Sequence, residues 1–157
     1  MHHLFPADVR ANRLRGHLPF AEVNDHVAKL IGGGGGGGGE QRRREHRRRE
    51  KELDPDDAYV SELAVGAWFE PAEVSKGNVA RAIFYIRAIY AGYIEDNPEN
   101  VSFFDKMKAT LRVWHREDPP DIREIKRSHD IERIQGNCNP FVLKPEYVDL
   151  LFFANGD

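Results

Sequence analysis

The chain has 157 residues, of which 40% are hydrophobic and 31% are charged, and this composition suits one globular domain with a single core. Its formal net charge of −3 excludes a global positive field that would attract nucleic acid, although it leaves room for a local basic cleft. The single Cys138 excludes an internal disulfide, and no apolar run approaches the roughly 18 residues of a membrane span.

The N-terminal region, residues 1–31, predicts one short helix. It should run over about Ala7–Leu14 and stop at Gly16, because glycine readily adopts the left-handed conformation that ends helices. In isolation, His2 and His3 indicate only two exposed residues behind the initiating methionine. The same region lacks the apolar segment of a signal peptide, so the chain as written is expected to stay in the cytoplasm.

A low-complexity insertion is predicted over residues 32–58. Eight consecutive glycines, Gly32 to Gly39, predict a flexible tether, because ordering glycine costs the most backbone entropy. The following segment, Glu40–Leu53, carries six arginines and no apolar face, so it can add nothing to a core. We expect this Gly/Arg-rich insertion to be disordered, or at most a lone solvated helix, inside a single domain that spans residues 1–157.

From residue 59 onward the sequence predicts a mainly helical protein. Residues 60–69 are apolar around Gly66 and favour either a strand or a loop. From Lys76, apolar residues recur at steps of three and four, which predicts a helix with one buried face that ends at Asn97-Pro98. The residues predicted to form this face are Val79, Ala82, Ile83, Ile86, Tyr90 and Tyr93.

Three more helices are predicted in the C-terminal part. The first has an apolar stripe from Val101 to Trp114. The second begins at Pro119-Pro120 and ends before Gly136, with proline in the first turn and glycine beyond the end. Its isoleucines on or near one side are Ile122, Ile125, Ile131 and Ile134. Pro145 opens the last helix, which runs to Leu151. The side chains predicted to meet in one core are those of Val79, Ile83, Ile86, Leu111, Trp114, Ile125 and Phe141.

Three sequence islands contain most of the residues that can carry chemistry. The first reads HHLFPADVRANRLRG over residues 2–16, the second FEPAEVSKGNVARAIFYI over residues 69–86, and the third IQGNCNPF over residues 134–141. In this order they resemble the bacterial endonuclease I family, a group of His-Me finger (ββα-metal) nucleases. The resemblance implies that the chain is the mainly helical C-terminal part of an α+β parent fold.

In that family, a His-Asn pair lies on the helix of the finger, and its second residue binds the metal. His3 occupies this position here. The resemblance therefore implies a metal-dependent, non-specific endonuclease that hydrolyses the phosphodiesters of DNA and RNA, with His3 as a ligand of a divalent ion. Magnesium is the implied ion, and the softer imidazole donor is expected to move the preference toward manganese or zinc.

Two arginines are candidates for nucleic-acid binding. Arg15 lies in the first island. Arg81 stands in an otherwise apolar helix, where an unpaired charge is costly, so it either holds a phosphate or pairs with an internal carboxylate such as Glu70. In the third island, Cys138 replaces an arginine of the family pattern. The asparagines beside it are expected to cap helix ends and to fix a tight turn.

The family's Glu-His-x-x-Pro segment should precede the first island, but this sequence contains no such pattern. In the family, its histidine is the general base that activates water, and its glutamate helps to hold the metal. Glu45-His46 lies after the first island and is followed by three arginines, so we interpret it as a coincidence. Because general-base assistance is typically worth about a hundred- to ten-thousandfold, the chain as written is expected to be weak or inactive.

Two other interpretations stay open. The chain is alternatively an inactive nucleic-acid-binding remnant that uses Arg15, Arg81 and the Arg42–Arg49 run on phosphates. It is otherwise a helical interaction domain in which the matching residues are structural. Full-length members of the family are often secreted or periplasmic. The sequence does not indicate an oligomeric state.

Overall fold

The computed structural model describes residues 1–7, 9–23, 28–31, 61–64 and 68–154. It is mainly helical, which confirms the predicted fold class at that level. The predicted insertion at residues 32–58 lies outside the described residues. The chain is divided into two compact units. One comprises residues 7–74, and the other comprises residues 1–6 together with residues 75–157. None of the described helices is both long enough and apolar enough to cross a bilayer. That the whole chain is a single domain stays a prediction.

The unit of residues 7–74 contains one described helix and a small sheet. Helix α1 spans Val9–Arg15, close to the predicted range, and Gly16 follows it with a φ of 52° in the left-handed region. The apolar segment 60–69, for which the sequence favoured a strand or a loop, supplies two strands. The three antiparallel strands β1, β2 and β3, which pair in this order, are Ala28–Ile31, Ser61–Ala64 and Trp68–Glu70.

A second segment of this unit docks on β3. The Phe69 N–H donates to the Pro19 carbonyl at 3.0 Å, and the Ala21 N–H donates to the Phe69 carbonyl at 3.2 Å. The buried rings of Phe20 and Phe69 meet edge to face, with their centroids 6.1 Å apart. Further along the same segment, the Val23 N–H donates to Glu70 Oε2 at 2.6 Å. Glu70 is thus a buried acceptor in the unit of residues 7–74.

The other unit is built from helices, preceded by the 3-10 turn Glu73–Ser75. The helices α2 to α7 are Lys76–Ile89, Ala91–Glu95, Pro98–Glu117, Ile122–Gln135, Pro140–Leu143 and Tyr147–Phe152. The Asn97 side chain caps α4 by accepting from the Glu99 N–H at 2.9 Å. Asp121 does the same for α5, accepting from the Glu124 N–H at 2.7 Å. Gly136 ends α5 with a φ of 83°, as its position in the sequence predicts.

The core of the helical unit is aromatic. Phe84 of α2 has no exposed surface, and other rings surround it at centroid separations between 5.0 and 6.3 Å. The phenylalanines that contact it are Phe104, Phe141, Phe152 and Phe153. Leu111, Trp114 and Phe141 are fully buried, as predicted. Burying one such side chain contributes about 1.5–3 kcal/mol, so this cluster is a principal source of stability for the unit.

The predicted buried face is wrong, and the helix predicted to run from Lys76 to Asn97-Pro98 is divided at Tyr90 into α2 and α3. The residues of that face that remain half-buried or exposed are Val79, Ile83, Ile86, Tyr90 and Tyr93. Of the predicted face only Ala82 is buried, and the other buried residues of the helix are Lys76, Gly77, Ala80, Arg81, Phe84 and Tyr85. The physical reason is that Arg81 is neutralised inside the protein, so the side of the helix that carries a charge is the side that packs.

The predicted face of α5 needs the same correction. Ile122 and Ile134 are 85% and 76% exposed, and Ile125 is half-buried. The buried residues of this helix are Glu124, Ser128 and Ile131. Two of these three are polar, so a search for apolar periodicity could not find the inward side.

Candidate functional site

His2 and His3 occupy the two central positions of a tight turn, which the Leu4 N–H closes by donating to the Met1 carbonyl at 3.1 Å. The expectation that both histidines are exposed is wrong for His2, which is only 2% exposed. Its Nε2 lies 2.7 Å from the Asn137 carbonyl, and its ring meets Tyr85 edge to face at 5.0 Å. Because a carbonyl only accepts, His2 must carry its proton on Nε2. Burial lowers the pKa of His2 and keeps the ring neutral at neutral pH.

His3 presents a different environment. Its side chain is half-buried, and its Nδ1 is buried without a hydrogen-bond partner among the described residues. Burial also lowers the pKa of His3, so the imidazole is neutral near pH 7 and has a lone pair on one nitrogen. A neutral imidazole nitrogen is a good donor to a divalent metal ion. His3 is therefore chemically suited to the role that the sequence predicted.

A complete metal site needs more donors than His3 alone. No group of three His, Cys, Asp or Glu side chains comes together within the described part of the chain. Metal affinity depends on several donors that are held in place by their neighbours. The described residues thus provide one suitable donor rather than a full set. Glu45 and His46 lie outside the residues that the structure describes.

Arg15 is the last residue of α1 and stays partly accessible. Its guanidinium carbon lies 4.6 Å from the centroid of the Phe20 ring. Its Nε is buried and has no hydrogen-bond partner in the described ranges. Burial lowers the pKa of Arg15, but a guanidinium starts from so high a value that it remains charged. Together with the exposed Arg13, it gives the last turn of α1 two cations, which is an arrangement that can contact phosphate.

Arg81 lies in the interior of the helical unit, with 0% of its surface exposed. Its Nε donates to both carboxylate oxygens of Glu124 at 2.9 Å, and its Nη1 donates to the Asp118 carbonyl at 2.6 Å. Its Nη2 lies 2.6 Å from Glu124 Oε2 and donates to Asn78 Oδ1 at 3.0 Å.

These contacts decide between the two alternatives for Arg81. Pairing with an internal carboxylate is what occurs, and the partner is Glu124 rather than Glu70. The assignment of Arg81 as a nucleic-acid contact is corrected, because a guanidinium without exposed surface cannot reach a phosphate. The sequence signal for this pair is a glutamate among the isoleucines of the predicted third helix, at a position where a solvated charge would be expected.

The third island acts inside the protein. The Asn139 side chain caps α6 by accepting from the Phe141 N–H at 3.0 Å, which confirms the predicted capping role. Its Nδ2 also donates to the Arg81 carbonyl at 3.3 Å, and its N–H donates to Ser128 Oγ at 3.1 Å. The Asn137 amide donates to the Tyr85 hydroxyl at 2.8 Å. This island therefore connects α2 to α5 and holds His2 beside them.

Comparison with known proteins agrees with the three islands. The family model for endonuclease I matches residues 1–146. The chain is 31% identical over 160 residues to an extracellular ribonuclease of Bacillus subtilis (strain 168). It is also 31% identical over 159 residues to an extracellular ribonuclease of Bacillus amyloliquefaciens. Each alignment covers 95% of this chain but 45% of the relative, so the chain spans about half the length of these proteins. No solved structure matches. The chain belongs to the endonuclease I family.

Proposed function

We propose that the protein containing this chain hydrolyses phosphodiester bonds of nucleic acids with the help of a divalent metal ion, and that His3 binds the ion. Family membership supports the nuclease activity. The observation that carries the metal assignment is the buried Nδ1 of His3, which has no partner in the described residues. The His-Me finger architecture of the parent fold is part of the same proposal. Magnesium, manganese and zinc are the candidate ions.

The proposed substrates are RNA and DNA. Both curated relatives carry the name ribonuclease, which supports RNA, and the family name endonuclease is compatible with either polymer. Arg15 is the proposed phosphate contact, because its guanidinium stays charged and partly accessible at the end of a helix. The relatives' names also describe extracellular proteins, so we propose that the longer protein works outside the cell.

The roles of the chain's own residues follow from their chemistry. A bound divalent ion neutralises charge that develops on the phosphate. His3 supplies one neutral nitrogen to it, and Arg15 orients the polymer through a backbone phosphate. The sequence lacks the Glu-His-x-x-Pro pattern, and the described residues do not gather three donors. We therefore propose that these 157 residues alone hydrolyse nucleic acid slowly.

One alternative has a specific observation in its favour. The incomplete donor set within the described residues also fits a domain that binds nucleic acid without cutting it. In that case Arg15 and its neighbours would hold phosphates, and binding would weaken steeply with added salt because counterions are released. Cleavage would then be absent with every ion.

The test uses the purified 157-residue chain with end-labelled RNA and DNA of mixed sequence, and with magnesium, manganese or zinc in separate reactions. We expect EDTA-sensitive cleavage, at a rate less than about one tenth of that of the intact Bacillus subtilis relative. His3→Ala should abolish it, whereas His129→Ala, on the exposed side of α5, should not.

Four results would decide against parts of this proposal. Cleavage that survives EDTA would refute the metal dependence. Unchanged activity of His3→Ala would remove His3 from the site. A rate within about tenfold of the intact relative would show that a different base, such as His17, His26 or His46, is recruited. Salt-dependent binding without cleavage would favour the alternative.

A further inference from the structure

One arginine holds both ends of the turn that carries His3. The turn begins at Met1 and closes at Leu4, whose N–H donates to the Met1 carbonyl at 3.1 Å. Arg127, on α5, donates from Nη2 to the same Met1 carbonyl at 3.2 Å and also to the Leu4 carbonyl. Because a guanidinium is planar and its donors have fixed directions, these two bonds restrict both the position and the orientation of the turn.

Phe5 covers this arrangement from one side. The guanidinium carbon of Arg127 lies 4.4 Å from the centroid of the Phe5 ring, which is a cation–π contact. Arg127 is half-buried, although its two hydrogen bonds to the turn are exposed to solvent. Phe5, directly after the turn, therefore stabilises the Arg127 side chain that holds the turn.

The neighbouring His2 provides a second anchor. Its ring is fixed by the Asn137 carbonyl at 2.7 Å and by the edge of Tyr85. The backbone of His3 is thus constrained on both sides, while the Nδ1 of its own ring has no partner in the described residues. A fixed backbone beneath an uncommitted, half-buried imidazole is what a preorganised metal donor requires.

We propose that Arg127 is a positioning residue, which clamps the turn of residues 1–4 and thereby sets the location of the His3 imidazole in the nuclease site. The inference rests on the proposed role of His3 as a metal ligand. Residues that orient a ligand typically change metal affinity by about 10–100-fold when they are removed. Loss of the Arg127 clamp should therefore weaken metal binding at His3, even though Arg127 is itself not a donor.

The test follows His3 directly by NMR of the full chain with isotope-labelled histidine. Manganese chloride is added, and broadening of the His3 ring signals is compared with that of the exposed His129. Arg127→Ala should need roughly ten times more manganese for equal broadening of His3. The manganese concentration that Arg127→Lys needs for this broadening should lie between those of Arg127→Ala and the wild type, because an ammonium lacks the planar guanidinium geometry. Arg123→Ala, an exposed arginine on the same helix, is the matched control and should behave as the wild type.

A second readout needs no metal and separates this inference from the proposed function. Amide hydrogen exchange at Leu4 should accelerate in Arg127→Ala and stay unchanged in Arg123→Ala. Faster exchange together with unchanged manganese broadening at His3 would overturn the positioning role. Unchanged exchange and unchanged broadening would overturn the clamp itself. If manganese fails to broaden His3 in the wild type while Leu4 still depends on Arg127, the metal role of His3 is refuted and the clamp stands. Should Arg127→Ala fail to fold, Arg127→Lys provides the same comparisons.

Discussion

Arg81 and Glu124 form an ion pair that is withdrawn from solvent, with their side chains 0% and 4% exposed and Arg81 Nη2 at 2.6 Å from Glu124 Oε2. The pair joins α2 to α5 across 43 positions of sequence. The Asp118 carbonyl accepts from Nη1 and the Asn78 side chain accepts from Nη2, so acceptors lie on several sides of the charge. Such satisfaction is what allows a charged residue to occupy a core.

Removal of one partner should therefore be far more damaging than removal of a surface pair. Glu124→Ala is expected to lower the free energy of unfolding by about 3–5 kcal/mol, because it leaves a buried guanidinium without its counter-charge. The matched control is Glu95→Ala, which breaks the more exposed Arg87–Glu95 pair and should cost no more than about 1 kcal/mol. Urea unfolding followed by circular dichroism measures both. Equal losses of unfolding free energy in the two variants would show that the buried pair contributes no more to stability than the exposed pair.

Gly77 is expected to be irreplaceable. A Cβ at this position would lie 1.9 Å from the Asp118 carbonyl oxygen and 2.9 Å from guanidinium nitrogens of Arg81. The Gly77 N–H also donates to Asp118 Oδ2 at 2.8 Å, so the backbone approach is part of the network. Gly77→Ala should destabilise the protein by about 1–3 kcal/mol or more, as overpacking does.

Gly92→Ala is the control for Gly77→Ala. A Cβ at Gly92 meets nothing within 4 Å, and the residue lies in α3, where alanine is the better helix former. The free energy of unfolding of Gly92→Ala should be higher than that of the wild type by up to about 1 kcal/mol. Thermal melting of the two variants and the wild type provides the measurement. A Gly77→Ala protein that melts with the wild type would contradict the close approach.

The corrected face of α2 leads to a prediction about Phe84. Phe84→Ala should cost about 3–5 kcal/mol, since it removes a ring with no exposed surface from the centre of the aromatic core. Tyr93→Ala should change the free energy of unfolding by no more than about 0.5 kcal/mol, because Tyr93 is 75% exposed. The sequence had placed this residue on the buried face. Chemical unfolding of both variants tests the assignment of faces. The reverse order of losses would restore the original prediction.

Acid should weaken the fold through His115. This residue is 6% exposed, its Nε2 donates to the Pro145 carbonyl at 3.0 Å, and its Nδ1 is buried without a partner among the described residues. Burial lowers the pKa of His115 below the usual value of 6.5. The unfolded chain therefore takes up a proton first as the pH falls, so this contribution to stability is complete above about pH 6.5 and declines below it.

The measurement is urea unfolding at several pH values between 5 and 8.5. The wild type should lose stability between about pH 6.5 and 5, and His2 and His3 should act in the same direction because burial lowers their pKa values too. His115→Gln keeps a donor for Pro145 and should lose less over that range. Between about pH 7.5 and 8.5, above the titration window, neither protein should change through this group. An equal loss for both in acid would exclude His115 as a source.

Helix ends and the family could be predicted from the residues alone. Proline, asparagine and glycine act within a few residues of where they stand, so Gly136 ends a helix and Asn139 caps one as predicted. The three islands were sufficient to predict the endonuclease I family, which the family model confirms over residues 1–146. The strand alternative for residues 60–69 could not be chosen, because strand pairing depends on partners elsewhere in the chain.

Tertiary structure alone decided which sides of the helices face inward and what the charged residues do. The sequence left two alternatives for Arg81, a phosphate contact or an internal pair, and a carboxylate from a distant helix makes its burial favourable. The same holds for His2, whose partner Asn137 lies 135 positions away. Whether a polar side chain is buried depends on the partner that folding brings to it, and no local pattern in the sequence contains that information.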